Sequence, residues 1–240
     1  MLHGALIQAG IHGIVFDKDG TLIRFEETWT PAFRASTDHL AAELGRPDLA
    51  EEMMRVGGWC QETQRILPGT ELASGTTDNV VRLWKSVAPD LPDERTLVPW
   101  LDAFWHSRAM DFLTPIEPLP ELFSALRAAG VLCGLATNDS ETGARETAER
   151  IGIAPHLSFT VGYDSGHGSK PDPGMILAAQ SHWGLPPERT AMVGDSPADL
   201  QAGRAAGCGL VIGVLSGASG RNVLEPLADL VLDDIHGLRA

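Results

Sequence analysis

Short apolar runs alternate with helical patterns over the second half of the chain. The runs at 131–136 and 191–193 are each followed by a polar or glycine-containing turn and then by residues with helical periodicity. Similar runs lie at 14–16, 158–161, 210–212 and 230–232. Runs this short and apolar are typical of buried parallel strands, and strands that alternate with helices form a doubly wound sheet. The sequence therefore predicts an α/β fold with an open parallel sheet.

A long section between the first and second predicted strands has a different pattern. Apolar residues recur there at helical spacing over 33–44, 49–55, 79–87 and 97–109, with almost no strand signal. Connections within an α/β unit are normally much shorter, so this section is expected to be an inserted domain. The prediction is a Rossmann-like core formed by residues 1–23 and 115–240, and a helical cap domain formed by residues 24–114.

Charge and hydropathy limit what the chain is expected to bind. The formal net charge is -14, and no cluster of lysine and arginine offsets it, so a nucleic-acid partner is not expected. No apolar run approaches the roughly 18 residues of a membrane span. The N-terminus also lacks the basic stretch of a signal peptide, so a cytoplasmic protein without a membrane partner is expected. The sequence predicts no particular oligomeric state.

Polar residues with related chemistry follow the predicted strands. Ligands of open α/β sheets bind at the carboxyl ends of the strands. Carboxylates there can hold a hard cation and transfer protons, a hydroxyl and an amide can bind phosphate oxygens, and a lysine supplies a fixed positive charge. The residues at these positions are Asp17, Asp19, Thr137, Asn138, Lys170, Asp195 and Asp199.

The same residues lie in four segments that resemble the motifs of the haloacid dehalogenase superfamily. The segments, in the order of the family, are 17–21 (DKDGT), 137–138 (TN), 169–173 (SKPDP) and 194–199 (GDSPAD). Each motif alone is weakly specific, but the ordered set covers most of the chain. The resemblance is greatest to phosphoglycolate phosphatase-like members with a helical cap.

The resemblance implies a magnesium-dependent phosphatase that hydrolyses a small phosphorylated metabolite, such as 2-phosphoglycolate, through an aspartyl phosphate. Asp17 would be the nucleophile, and Asp19 would protonate the leaving oxygen and then activate water. Thr137, Asn138 and Lys170 would bind the phosphoryl group, with Lys170 also keeping Asp17 ionised.

The resemblance also implies a metal site and a role for the insert. Magnesium would be held by Asp17, Asp195 and the backbone carbonyl of Asp19. Asp199 would orient a water ligand or Lys170. The helical cap would close over the site and select the substrate.

Some of these residues have structural alternatives. Asn138 could simply start a helix, and Asp199 could be an acid in a first helical turn. Lys18 stands where the family commonly has an apolar residue, and it is expected to face the surface. The alternative is an inward position, where it would add a cation for phosphate or for a substrate carboxylate. The segment 57–59 is either a substrate-facing cap loop or an ordinary turn.

Other functions remain as alternatives. A sugar phosphomutase of the same superfamily shares all four motifs. A dehalogenase or phosphonate hydrolase is disfavoured by Asp19, which such relatives generally replace. A phosphate-accepting signalling module is disfavoured by the length of the chain and the order of the motifs.

Overall fold

The computed structural model describes residues 4–116 and 118–239 of the chain. Within them are eight β-strands, which are β1 (Gly13–Phe16), β2 (Trp59–Cys60), β3 (Arg65–Ile66), β4 (Leu132–Ala136), β5 (Leu157–Val161), β6 (Thr190–Gly194), β7 (Leu210–Val214) and β8 (Leu230–Leu232). The same residues form eleven α-helices, which are α1 (Gly4–Gln8), α2 (Phe25–Glu43), α3 (Asp48–Gly57), α4 (Glu71–Ser74), α5 (Thr77–Val87), α6 (Glu94–Asp111), α7 (Leu119–Ala128), α8 (Glu141–Arg150), α9 (Gly174–Trp183), α10 (Pro197–Ala205) and α11 (Arg221–Leu224). Among these helices, none has both the length and the apolar character that crossing a bilayer requires.

Six of the strands form one parallel sheet in the order β5-β4-β1-β6-β7-β8. The chain adds β4 and β5 on one side of β1, and then β6, β7 and β8 on the other side. The strand order therefore reverses between β1 and β6, which is the point at which doubly wound sheets bind ligands. The predicted doubly wound parallel sheet is confirmed, and each of its six predicted strands is present.

The two central strands are buried along their whole length. Every residue of β1 and of β6 is shielded from solvent. Val15, Met192 and Val211 belong to one apolar cluster, and the ring of Phe16 lies 4.9 Å from that of Phe123 in α7. Helices cover both faces of these strands, which explains why their sequences are continuous apolar runs instead of alternating ones.

The chain divides into two compact units. The larger one runs up to Arg24 and resumes at Pro115, and the smaller one is Phe25–Thr114. Within the larger unit, the two segments that flank the insertion lie side by side. Ile23 forms a bridge with Pro115, and the backbone N–H of Ile116 donates to Leu22 O at 2.9 Å. These backbone hydrogen bonds join the two segments at the point of insertion.

The smaller unit has an aromatic core. The rings of Trp84 and Trp105 meet edge to face at 5.7 Å, and Phe33 lies 5.0 Å from Trp105. The indole N–H of Trp105 donates to Ser36 Oγ at 2.8 Å, so this buried polar group is satisfied. Packing of helices α2, α3, α5 and α6 around these rings gives the unit its own hydrophobic core.

Helix α2 of the smaller unit starts well before its predicted position. The prediction placed its start at residue 33, whereas α2 begins at Phe25 and contains Pro31. Proline normally marks a helix boundary because it lacks an N–H donor and clashes with the preceding turn. Burial of Phe25 and its neighbours on the first turns of α2 offsets this cost.

The smaller unit also contains a hairpin that the helical pattern did not reveal. Strands β2 and β3 pair antiparallel, with Trp59 opposite Ile66. Gly57 ends α3, Gly58 has a φ of 121°, and the side chain of Trp59 packs in the apolar core, 6% exposed. The segment 57–59 is therefore a helix end followed by a strand, and Trp59 is a core residue.

Candidate active site

The carboxyl ends of β1 and β6 bring two aspartates together. Asp17 follows the last residue of β1, and Asp195 follows the last residue of β6. Each is 6% exposed. Carboxylate oxygens of Asp17, Asp195 and Asp199 lie within 4.8 Å of one another. Three buried carboxylates at this distance repel one another strongly, so the cluster is a candidate site for positive charge.

A buried lysine supplies part of that charge. Lys170 Nζ donates to Asp17 Oδ1 at 2.5 Å and to Asp199 Oδ1 at 2.6 Å. It also donates to the backbone carbonyl of Ala136 at 2.9 Å, so all three ammonium N–H bonds have acceptors. Lys170 therefore orients Asp17 and links the ends of β1 and β4 to the start of α10.

Asn138 holds the backbone of Lys170. Its Nδ2 donates to Lys170 O at 2.9 Å, and its Oδ1 accepts from Lys170 N at 2.8 Å. The N-cap of α8 is Ser140, whose Oγ accepts from Gly143 N, so Asn138 does not cap the helix. Asn138 therefore fixes the backbone position of Lys170. The predicted contact of Asn138 with phosphate stays a prediction.

Asp199 combines the two roles that the sequence left as alternatives. Its Oδ2 accepts from the backbone N–H of Ser196 at 3.0 Å, and Ser196 Oγ accepts from Asp199 N at 3.3 Å, which together form the capping box of α10. The hydroxyl of Ser196 also donates to Oδ2 at 2.6 Å. Asp199 Oδ1 accepts from Lys170. Both oxygens of Asp199 are thus engaged by protein donors, which leaves Asp17 and Asp195 better placed as ligands of a cation.

Asp19 and Thr137 lie across the ends of β1 and β4. The chain leaves strand geometry after Asp17, and Gly20 has the positive φ, 81°, that the predicted turn needs. Thr137 Oγ1 donates to Asp19 Oδ2 at 3.5 Å, a long hydrogen bond, and accepts from Asp139 N at 3.1 Å. The structure therefore brings together the second aspartate of the first motif and the hydroxyl of the second motif.

Lys18 is buried, so its predicted position at the surface was wrong. It is 1% exposed, and its Nζ lies 2.7 Å from Asp139 Oδ2 and 3.2 Å from Asp19 Oδ2. Burial lowers the pKa of Lys18, but the two carboxylates raise it by more, so the net pKa is above its ordinary value and the ammonium stays charged. The attraction of the two carboxylates offsets the cost of removing this charge from water.

The loop after β7 also contributes to the site, and the sequence analysis missed it. Ser216 Oγ donates to Gly20 O at 2.7 Å, and Ala218 N donates to Asp195 Oδ2 at 2.9 Å. A Cβ atom on Gly217 would lie at 1.9 Å from Asp195 Oδ2, so only glycine fits there. The rule that identified the other residues, which is to inspect the end of each predicted strand, would also have found this loop.

For the magnesium site that the four motifs imply, Gly217→Ala is expected to weaken binding of the ion by about tenfold or more, because the added methyl group must displace the carboxylate of Asp195. Calorimetric titration of the protein with magnesium would measure the change. The matched control is Gly220→Ala, whose Cβ would meet only the side-chain oxygen of Asn222 at 3.0 Å. Equal magnesium affinity in the two variants would contradict the expectation.

The electrostatics of the centre favour an added cation. Burial, and then the charge of Asp199, raise the pKa of Asp17 to about 7, although Lys170 opposes the shift. Burial, and then Asp17 and Asp199, raise the pKa of Asp195 well above its ordinary value. In the absence of a cation both acids are therefore protonated more readily than an ordinary aspartate, and a cation would take the place of those protons.

The donor set suits a hard divalent ion. The donors are carboxylate oxygens, which magnesium and similar cations prefer. Five carboxylates surround the strand ends against the two ammonium groups of Lys18 and Lys170, which leaves an excess of negative charge that a divalent ion would reduce. The carboxylates are those of Asp17, Asp19, Asp139, Asp195 and Asp199.

Fold and site together define an α/β protein with a buried acidic centre suited to a hard cation. The chain belongs to the family of haloacid dehalogenase-like hydrolases, whose sequence profile matches residues 11–207. This family was the one that the four motifs resembled.

Curated relatives agree with this assignment, and a solved structure agrees with the fold. A phosphoglycolate phosphatase from Pseudomonas putida is 30% identical over 226 residues, which cover 94% of this chain and 77% of that protein. An N-acetylmuramic acid 6-phosphate phosphatase from Pseudomonas aeruginosa is 29% identical, with 82% and 79% covered. The crystal structure of a family hydrolase from Deinococcus radiodurans, with bound phosphate and sodium, has a TM-score of 0.63 at 24% identity, with 97% and 95% covered. This structural likeness supports the fold.

Proposed function

We propose that this protein is a magnesium-dependent phosphatase that hydrolyses a small phosphomonoester through an aspartyl phosphate on Asp17. The observation that carries the proposal is the 2.5 Å contact of Lys170 Nζ with Asp17, in a buried cluster that includes Asp195. Phosphoryl transfer depends on positioning and charge neutralisation more than on a strong base. A carboxylate oriented by an ammonium group beside a cation site is suited to that task.

In the first half-reaction, a carboxylate oxygen of Asp17 forms a bond to phosphorus while the bond from phosphorus to the leaving oxygen breaks. Asp19, in its protonated form, gives its proton to the leaving oxygen, so that a neutral alcohol departs. Thr137 binds the phosphoryl oxygens. Lys170, whose three N–H bonds donate to Asp17, Asp199 and the carbonyl of Ala136, orients Asp17 and adds positive charge close to these oxygens. Asn138 keeps Lys170 in place through the paired hydrogen bonds to its backbone.

In the second half-reaction, the oxygen of a water molecule forms a bond to phosphorus while the bond to Asp17 breaks. The carboxylate of Asp19 takes a proton from this water, and inorganic phosphate and free Asp17 result. Asp17, Asp195 and the backbone carbonyl of Asp19 would hold the magnesium ion. When bound, magnesium supplies positive charge that neutralises the phosphoryl oxygens. Asp199 keeps Lys170 directed at Asp17 through its 2.6 Å contact.

The names of the relatives suggest two candidate substrates. These are 2-phosphoglycolate and N-acetylmuramic acid 6-phosphate, which are both small phosphomonoesters that carry a carboxylate. Selection of the substrate by the helical unit, Phe25–Thr114, is part of the proposal.

Hydrolysis of a panel of phosphomonoesters would test this function. The panel contains 2-phosphoglycolate, N-acetylmuramic acid 6-phosphate and hexose phosphates, with magnesium or with a chelator. Magnesium-dependent release of inorganic phosphate is the expected result. Conversion of one hexose phosphate to its isomer, without net release of phosphate, would instead identify a phosphomutase. No reaction with any ester, in folded protein that binds magnesium, would overturn the proposal.

Magnesium affinity is expected to rise with pH up to about pH 7 and then to rise less steeply. The pKa of Asp17 is raised to about 7, so below that pH a proton competes with the ion for the carboxylate. Each proton displaced makes the affinity rise about tenfold per pH unit. Calorimetry from pH 5.5 to 8.5, in buffers with different ionisation enthalpies, would give both the affinity and the number of protons released. An affinity that does not change between pH 5.5 and 7 would contradict this expectation.

A further inference from the structure

We propose that Lys18 is a positioning residue that holds the carboxyl group of Asp19 in place while Asp19 gives its proton to the leaving group. This inference rests on the proposed function, in which Asp19 is the acid. It concerns a residue at which this chain departs from the apolar side chain that is common in the family. We call the three side chains of Asp139, Lys18 and Asp19 the Lys18 bridge.

The contacts of the Lys18 bridge are close and almost fully buried at the lysine. Lys18 Nζ donates to Asp139 Oδ2 at 2.7 Å and lies 3.2 Å from Asp19 Oδ2. The lysine is 1% exposed. A buried ammonium group between two carboxylates makes charge-assisted contacts that fix the orientation of both acids. Lys18 is therefore placed to act on Asp19.

Asp139 anchors the bridge to a rigid part of the fold. Its Oδ1 accepts from Ser140 N at 2.7 Å, and its own N–H donates to Thr137 Oγ1 at 3.1 Å. Asp139 therefore sits between the end of β4 and the start of α8, held by the backbone N–H of Ser140 and by the hydroxyl of Thr137. Lys18 contacts both Asp139 and Asp19, so it connects this anchored aspartate to the turn after β1 that contains Asp19.

Asp19 lies in a part of the site where such support matters. It precedes Gly20, whose φ of 81° turns the chain away from the strand, and its side chain is 17% exposed. The hydroxyl contact from Thr137 is long, at 3.5 Å. Displacement of a catalytic group by about 1 Å can cost on the order of 100-fold in rate, so a closer and charged contact from Lys18 is a means to keep Asp19 in place.

A role in proton donation predicts an effect that depends on the leaving group. An alkyl alcohol is a poor leaving group and needs the proton from Asp19, whereas p-nitrophenolate leaves readily without it. The value of kcat/KM includes departure of the leaving group but not the later hydrolysis of the aspartyl phosphate. We expect Lys18→Met to lower kcat/KM by about 10- to 100-fold for the preferred alkyl phosphate, and by less than about threefold for p-nitrophenyl phosphate.

The experiment compares the two substrates in the full-length protein, with magnesium affinity as a second readout that should not change. Asp139→Asn is the second variant, because it weakens the anchor of Lys18 but keeps an oxygen for Ser140 N. It should shift the ratio of the two kcat/KM values in the same direction, by about three- to tenfold. Lys85→Met, which removes the lysine that donates to the carbonyls of Leu91 and Pro92, is the matched control.

The outcomes separate this inference from the proposed function. An equal fall for both substrates, or no fall for the alkyl phosphate, would overturn the positioning role while phosphatase activity stands. Absence of activity in the unaltered protein would overturn the proposed function and this inference with it. If Lys18→Met does not fold, the test is the ratio of the two kcat/KM values measured for Asp139→Asn. An unchanged ratio in that variant would overturn the inference.

Discussion

Asp17→Asn is expected to lower phosphate release by about 10⁴-fold or more, because the amide cannot form the aspartyl phosphate. The substitution is nearly isosteric, and Lys170 keeps its contacts with Asp199 and the carbonyl of Ala136. Steady-state hydrolysis of the preferred substrate at saturating magnesium would measure the loss. Single-turnover experiments would show whether any phosphorylated protein forms.

The same variant is expected to be at least as stable as the unaltered protein when magnesium is absent. The pKa of Asp17 in the folded protein is about 7, above its ordinary value of 3.8. Because folding raises this pKa, the free energy of unfolding falls as the pH rises from the lower value to the higher one. Above the folded pKa it falls no further. Removing the carboxylate removes this loss of stability, so thermal unfolding at pH 8 with a chelator should show a Tm that is equal or higher.

Opposite effects on activity and stability would exclude unfolding as the cause of the lost activity. The matched control is Asp172→Asn, which removes an exposed carboxylate from the loop that carries Lys170. It should leave both activity and stability nearly unchanged. Substantial phosphate release by Asp17→Asn, in protein shown by mass to be free of deamidation, would contradict the assignment of Asp17 as nucleophile.

Lys170→Met is expected to lose nearly all activity and also to lose about 3–5 kcal/mol of the free energy of unfolding at pH 8 without magnesium. Lys170 Nζ is the ammonium group within 2.6 Å of both Asp17 and Asp199. Its removal leaves two buried carboxylates facing each other without this counter-charge. Urea unfolding followed by fluorescence would measure the change in stability.

The destabilisation by Lys170→Met should depend on pH and on magnesium. It is expected to be smaller at pH 5, because a buried carboxylate without a counter-charge takes up a proton. Magnesium should restore part of the stability, since it binds the folded state. The control Lys85→Met removes a less buried lysine and should change stability by less than about 1 kcal/mol. A loss that is equal for the two variants would show that Lys170 does not stabilise the centre.

Much of the fold could be predicted from local patterns. The buried strands are continuous apolar runs because helices cover both faces of the sheet, and such runs are visible without any tertiary information. Helix α2 was predicted too short because Pro31 is a local signal for a boundary, whereas burial of Phe25 beyond it depends on packing. The hairpin of β2 and β3 was missed because two-residue strands have too few residues to show a period.

The candidate site was predicted to a similar extent. The residues that follow the strands are found together at one edge of the sheet, where Lys170 contacts Asp17 and Asp199. Their catalytic and metal-binding roles stay predictions until the variants are measured. The position of Lys18 was predicted wrongly, since a lysine is usually exposed and its closer partner, Asp139, lies 121 positions away in the chain.

The sequence alone determined where the buried strands lie along the chain, because the apolar runs and the order of the motifs are local properties of the chain. Only the tertiary structure decided which of these residues meet. The strand order places β1 between β4 and β6, so Lys18 reaches Asp139, 121 positions away, and the loop after β7 reaches Asp195. Burial of a charge depends on a partner supplied by another strand, and this pairing is created when the sheet assembles.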